Sequence, residues 1–158
     1  MAWKPKRKAS LRLEDFMVRN PISLPENASV DDAFRVMWEN RVGSVLIVDS
    51  DGKLRGIVTQ RDLLYAGCRG LIGKNVSVKE IMSENPITAK PSDSLQEAVR
   101  RMRVNDVSHL PIVDDQGKPI GIFSMRDVID IFMLLVGTLF SEMSNPSPSN
   151  SPFSRMKR

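Results

Sequence analysis

Gly56-Ile57-Val58-Thr59-Gln60-Arg61-Asp62 returns as Gly121-Ile122-Phe123-Ser124-Met125-Arg126-Asp127, 65 residues later (121 − 56 = 65). The same offset, without a gap, carries Asn20-Pro21-Ile22 to Asn85-Pro86-Ile87, Ile47-Val48-Asp49 to Ile112-Val113-Asp114 and Gly52-Lys53 to Gly117-Lys118. A repeat this regular is two copies of one supersecondary unit. It predicts a pair of half-sites rather than one asymmetric active site.

Working outward from the motif, Leu54 to Val58 reads as a strand and Thr59 to Tyr65 as the start of a helix. Upstream, Val45-Leu46-Ile47-Val48 is a continuous β-branched run, suited to a strand buried on both faces. Asp49-Ser50-Asp51-Gly52 supplies the turn between the two strands. Ser29 is an N-cap candidate, with Asp31 and Asp32 in the first turn, where the helix dipole favours acids. Val30, Ala33, Phe34, Met37 and Trp38 then fall on one helical face, and Asn40-Arg41 ends that helix. Ile22 to Leu24 is a short extended piece before it, and Glu14 to Val18 a helical turn. In the second copy Ser94 caps a helix carrying Leu95, Ala98, Val99 and Met102. Leu110 to Val113 and Pro119 to Phe123 are its strands. The last helix starts at Ser124 and outruns its counterpart, through Val128, Ile131, Phe132, Leu135, Leu139 and Met143.

Each unit is therefore β-α-β-β-α, and the fold class is α/β (α+β), two such repeats packed as a pseudo-twofold pair. The expected segmentation is a basic tail at 1–13, repeat 1 at 14–66, a linker at 67–79 and repeat 2 at 80–134. A helix extension at 135–144 and a Ser/Pro-rich basic tail at 145–158, read as disordered, follow.

The hydrophobic fraction of 41% can supply a core, and no apolar run reaches the roughly 18–20 residues of a membrane-spanning helix. The single cysteine, Cys68, excludes an intrachain disulfide and a clustered cysteine metal site. The one histidine, His109, supports neither a metal site nor a catalytic triad. No catalytic residue is assigned, and a cytoplasmic protein without membrane contact is expected. The net charge is +4, with Lys4, Lys6, Arg7, Lys8 and Arg12 at one end and Arg155, Lys157 and Arg158 at the other. Such tails are either solvated ends or weak nucleic-acid contacts. Trp38 reads as a core or dimer contact; Trp3, in the polar tail, has no assignment.

The chemistry lies in Gly-x-x-Thr-x-Arg-Asp and its Ser variant. Thr59 and Ser124 sit where a strand turns into a helix, a place that attracts phosphate. Arg61 and Arg126 add charge-assisted bonds to phosphate oxygens. Asp62 and Asp127 offer two acceptor oxygens, enough for a vicinal diol such as ribose. The competing reading is that Thr59-x-x-Asp62 and Ser124-x-x-Asp127 are capping boxes. Two copies, each with a leading Gly and an Arg before the Asp, favour the binding role, because capping requires neither.

With Val42-Gly43-Ser44-Val45-Leu46-Ile47-Val48-Asp49 and Val107-Ser108-His109-Leu110-Pro111-Ile112-Val113-Asp114 at the buried strands, the layout resembles a tandem pair of cystathionine-β-synthase (CBS) domains, a Bateman module. The resemblance covers roughly Glu14 to Leu134. It implies binding rather than catalysis, with adenosine-containing ligands such as AMP, ADP, ATP or S-adenosylmethionine held in two clefts between the repeats. AMP is the foremost candidate, as a regulatory ligand and not a required cofactor.

By this resemblance one cleft uses Ser124, Arg126 and Asp127, with Ser23, Ala28, Val42 and Gly43 around the base and Ser108 and His109 nearby. The other uses Thr59, Arg61 and Asp62, with Thr88, Asp93, Val107, Ser108, Gly43 and Ser44. Asp93 stands at the position of Ala28, either to read the adenine amino group or to cost affinity by desolvation. The Asp127 cleft is expected to bind more tightly. His109 is either a half-buried strand residue or a phosphate contact. A homodimer is implied as well, and the apolar stripe Ile131, Phe132, Leu135 and Leu139 supports a partner surface. The chain then reads as a stand-alone regulatory sensor whose effector protein is unknown.

Overall fold

The computed structural model describes residues 11–144. Trp3, most of the basic start and the Ser/Pro-rich end lie outside the described residues. The described chain falls into two compact units, divided after Ser124. In the first run β1 (Val18–Arg19), β2 (Ser23–Pro25), α1 (Val30–Asn40), β3 (Ser44–Val48), β4 (Leu54–Thr59), α2 (Gln60–Cys68), β5 (Ser83–Glu84), α3 (Leu95–Val104), β6 (His109–Val113) and β7 (Pro119–Ser124). The second holds α4, Met125–Ser144.

The strands form two sheets, β2-β3-β4-β5 and β1-β7-β6. Their order crosses the repeat boundary. β1 precedes the first repeat yet pairs antiparallel with β7 of the second, Val18 opposite Ile122. β5 precedes the second repeat yet pairs with β4 of the first, Ile57 opposite Ser83. The residues just ahead of these strands are exchanged in the same way. Leu13 N–H donates to Asp93 O and Val78 N–H to Ala28 O, both at 2.9 Å. Arg12 bridges Ser94, and Ser29 bridges Ser77. Every one of these pairs maps onto its counterpart by the 65-residue shift, so the pseudo-twofold relation of the sequence is present in the hydrogen bonding.

The exchange accounts for the glycine that opens each motif. A Cβ on Gly56 would lie 2.5 Å from Met82 Sδ and 3.2 Å from Ser83 O. A Cβ on Gly121 would lie 2.5 Å from Met17 Sδ and 3.3 Å from Val18 O. Each glycine thus admits the methionine and backbone of the swapped strand, which is a packing role and not a ligand role. The asparagines that follow the swapped strands, Asn20 and Asn85, turn the chain with φ of 53° and 46°. Each precedes a proline, which disfavours the right-handed helical region, and Asn is among the few residues that tolerate the left-handed one.

The Ser29 cap forms as the sequence predicts: Ser29 Oγ accepts from Asp32 N–H at 3.0 Å, and Asp32 Oδ2 accepts from Ser29 N–H at 3.0 Å. Ser94 Oγ caps α3 by accepting from Glu97 N–H. Val30, Ala33 and Met37 of α1 pack on Val45, Ile47 and Val58, together with Leu63 and Ala66 of α2. Val78 and Ile81, from the swapped segment, complete that core.

Several expectations are corrected. Phe34 and Trp38 lie on the exposed side of α1, Trp38 with 78% of its surface open, so Trp38 is not a core residue of this chain. Helix α2 runs on to Cys68, into the expected linker. Leu13, placed in the tail, is fully buried, and Leu11 O accepts from Leu95 N–H at 2.8 Å. The two-residue strands β1 and β5 have no periodic signal and were not expected. The extended piece at Ile87 is reduced to one bridge, Ala89 with Ile112. The reason is Pro111: in the first repeat Leu46 N–H donates to Ile22 O at 3.0 Å, and Pro111, in that place, has no N–H to give.

In α4 the exposed apolar set, Ile129, Phe132, Met133, Leu134, Leu135, Leu139 and Phe140, is wider than the single stripe read from the sequence. No helix among the described residues is long and apolar enough to cross a membrane.

Substituting Gly56→Ala or Gly121→Ala is expected to lower the unfolding free energy by about 1–3 kcal/mol, because a methyl must push aside a strand as well as a methionine. Gly137→Ala, where nothing lies within 4 Å, should cause no loss. Urea denaturation of the three variants checks this.

Candidate functional site

At the α2 junction, Thr59 N–H and Thr59 Oγ1–H both donate to Asp62 Oδ2, at 2.7 and 2.8 Å. At α1, Ser29 N–H and Ser29 Oγ–H donate to Asp32 Oδ2, at 3.0 and 2.9 Å. The two constellations are the same, and the Ser29–Asp32 pair was read only as a cap. The capping function is therefore real at Thr59–Asp62, and it occupies one carboxylate oxygen. Asp62 Oδ1 takes no hydrogen bond from any described residue, which leaves one acceptor oxygen for a ligand instead of two. The Gln60 N–H, a donor that would face an anion, is given to Gly43 O at 3.2 Å. Arg61 is exposed, with no ion-pair partner among the described residues. Here the two junctions differ, since the exposed arginine of α1, Arg35, pairs with Asp32.

The remaining expected residues are spread over both repeats and the start of α4. Ser44 is buried and stands opposite Thr59 in the β3–β4 ladder. Gly43, just before it, meets the second repeat: a Cβ there would lie 2.9 Å from His109 Nε2. His109 is half-buried at the start of β6, opposite Ser124, and Ser108 before it is exposed. Val107 is half-buried, its N–H donating to Met102 O. Thr88 and Asp93 are half-buried at the entry to α3. No hydrogen bond among the described residues joins them to Asp62. Ser23 is exposed, Val42 half-buried and Ala28 buried. Ser124 ends β7, and Arg126 and Asp127 lie in the first turn of α4, in the second unit.

Asp93 is not an isolated carboxylate. Its Oδ2 accepts from Lys90 N–H at 3.0 Å and from Arg101 Nη1 at 2.9 Å. The same Nη1 donates to Thr88 O at 3.1 Å, while Arg101 Nε donates to Glu97 Oε1 at 2.9 Å. Glu97 also accepts two bonds from Arg100, at 2.8 Å each. The desolvation cost foreseen for Asp93 is thus offset by a charge-assisted bond. Arg101 escaped the sequence reading. Its signal was a coupled break in the repeat: Ala28 and Val36 in the first copy become Asp93 and Arg101 in the second, two apolar residues replaced by an opposite pair. Among the described residues no group of His, Cys, Asp and Glu is arranged to hold a metal ion.

The chain matches the CBS domain family over residues 13–68 and 78–134. It belongs to that family, as a tandem pair. It is 38% identical over 112 residues to the inosine-5'-monophosphate dehydrogenase of Nitrosopumilus maritimus, a match covering 71% of this chain and 22% of that enzyme. The chain thus spans less than a quarter of that relative's length. Among solved structures it resembles the CBS domain pair of protein MJ0100 in complex with 5'-methylthioadenosine and S-adenosyl-L-methionine. There the TM-score is 0.71 and the identity 28%, covering 78% of this chain and 96% of that one. It also resembles the CBS domain protein PAE2072 from Pyrobaculum aerophilum, complexed with AMP, with TM-score 0.71, 26% identity, and coverage of 81% and 99%.

The Glu97 carboxyl is held at about 2, against an ordinary 4.5, first by Arg100 and then by Arg101. A folded-state value below the unfolded one adds stability above the ordinary value, and that stability is lost as pH falls through the folded value. Between about pH 5 and 2 the protein should therefore lose stability. Glu97→Gln should flatten part of that slope while leaving the alkaline side unchanged, as read by thermal unfolding across pH.

Proposed function

We propose that the chain is a regulatory module that binds an adenosine-containing nucleotide, AMP foremost, between its CBS repeats. Binding alters the fit of one repeat on the other. The observation that carries this reading is the group at the head of α2. Its cap consumes Asp62 Oδ2 and leaves Oδ1 as an acceptor for a ribose hydroxyl, beside the exposed Arg61, which no described residue neutralises. The ligands named for the two CBS pair structures, AMP in one and 5'-methylthioadenosine with S-adenosylmethionine in the other, support the same class. Arg61 favours a phosphate over the sulfonium of S-adenosylmethionine, which places AMP, ADP or ATP ahead of it. The corresponding set Ser124, Arg126 and Asp127 rests on the sequence repeat and is the tighter of the two.

A ligand that engages both repeats shifts their arrangement only by its differential affinity for the two states. Gly43 and His109 lie at their contact, so a ligand seated there would read that arrangement directly. The output belongs to an effector protein. The exposed apolar residues of α4 are covered by a second copy of the chain, and the free thiol of Cys68 fits a reducing cytoplasm.

Titration calorimetry with AMP, ADP, ATP and S-adenosylmethionine tests the nucleotide reading. AMP should bind at micromolar to submillimolar levels, Asp127→Ala should abolish the tighter event and Asp62→Ala the weaker. Absence of binding by all four at millimolar concentration refutes it. For the assembly, sedimentation should give a dimer that Leu135→Glu with Leu139→Glu converts to monomer; a monomeric parent chain refutes that part.

A further inference from the structure

The two sheets meet at both ends of their β3–β4 and β6–β7 hairpins. At the turns, Leu54 N–H donates to Gly117 O at 3.0 Å. The 65-residue shift would carry that bond to Pro119 and Gly52, and Pro119 has no N–H to donate. At the other end, just ahead of β3, the His109 ring takes the space of a side chain at Gly43. A Cβ there would lie 2.9 Å from His109 Nε2 and 3.4 Å from Cε1. The shift carries Gly43 to Ser108 and His109 back to Ser44, so the matching pair has no ring to reach across. Both ties are therefore one-sided, and the second depends on His109.

Each side of the Gly43–His109 contact is attached to the head of a helix. Gly43 O accepts the Gln60 N–H, the first of α2, at 3.2 Å, and Ser44 stands opposite Thr59 in the ladder. His109 stands opposite Ser124, the residue after which α4 begins. A ligand that engages Thr59, Arg61 or Asp62 thus acts on the segment that holds Gly43. The contact has no room for a methyl group, and close-packed contacts transmit a displacement rather than absorb it. The Leu54–Gly117 bond pins the turns, so a shift of one sheet on the other is expressed at the His109 end.

We infer that His109 is a positioning residue that couples the two half-sites: through Gly43 it links the head of α2 to Ser124 at the opening of α4, so that filling one half-site raises the affinity of the other. This rests on the nucleotide reading above and adds to it a regulation between half-sites. The sign follows from sharing one element. The first ligand sets the Gly43–His109 arrangement, and the second meets it already set.

The test is AMP titration calorimetry on the full chain, with the affinity of the Asp62 half-site read in the parent and in Asp127→Ala. That affinity should be about fivefold or more higher in the parent. In a His109→Ser background, which gives the second repeat the residue that the first has at Ser44, the two affinities should become equal. A merely structural or ligand-contacting role for His109 would weaken both affinities alike and leave their ratio unchanged. Gly43→Ala, which forces the ring aside, should also make them equal, and it serves if His109→Ser does not fold. Asp127→Asn serves in place of Asp127→Ala on the same ground. Equal or lower affinity in the parent, or a parent that takes one AMP per chain, overturns the inference while leaving nucleotide binding intact. A ratio that persists in His109→Ser means that the half-sites communicate elsewhere, and overturns it as well. Failure of the parent to bind AMP removes the nucleotide reading, and this inference with it.

Discussion

Neither repeat completes its own sheet. β4 needs β5 from beyond the linker, and β7 needs β1 from ahead of the first repeat. This exchange is the constraint from which the rest follows. It requires glycine at 56 and 121, because a methionine and a backbone carbonyl occupy the space of a side chain. It supplies Val78 and Ile81 to the core beneath α1, and it ties the backbone of Leu13 to Asp93. A repeat excised at its sequence boundaries would lose an edge strand and part of its core. The pair accordingly forms one compact unit as far as Ser124.

The exchange also sets the chemistry available at the head of α2. Strand β4 delivers Thr59 to the junction, Ser44 stands opposite, and the Gly43 carbonyl takes the Gln60 N–H. The junction is therefore less open to an anion than a bare helix start. What it retains is a carboxylate oxygen and an exposed arginine with no ion-pair partner among the described residues. The comparison with Ser29–Asp32 is instructive, because the same hydrogen bonds appear there with the arginine already paired. Cap geometry by itself does not separate a ligand grip from a helix stop.

Pseudo-symmetry is broken where it has chemical effect. Pro111 removes a ladder hydrogen bond and thins one sheet to a bridge. Asp93 and Arg101 introduce charge where the first repeat is apolar. The two repeats are therefore not chemically equivalent at these matched positions.

The sequence by itself determined the repeat, the β-α-β-β-α order, the caps at Ser29 and Ser94 and the buried strands around Leu46 and Leu110. These follow from patterns of local spacing, in which a residue's neighbours in the chain set its conformation. It also carried the motif residues of the candidate site. Only the tertiary structure decided the exchange of β1 and β5, since two-residue strands have no period and owe their pairing to the other repeat. It likewise decided the purpose of Gly56 and Gly121, the exposure of Trp38 and the engagement of Asp93 by Arg101. Each of these depends on a partner brought near by folding, and side-chain contacts between helix turns and distant loops leave only indirect traces in a linear pattern.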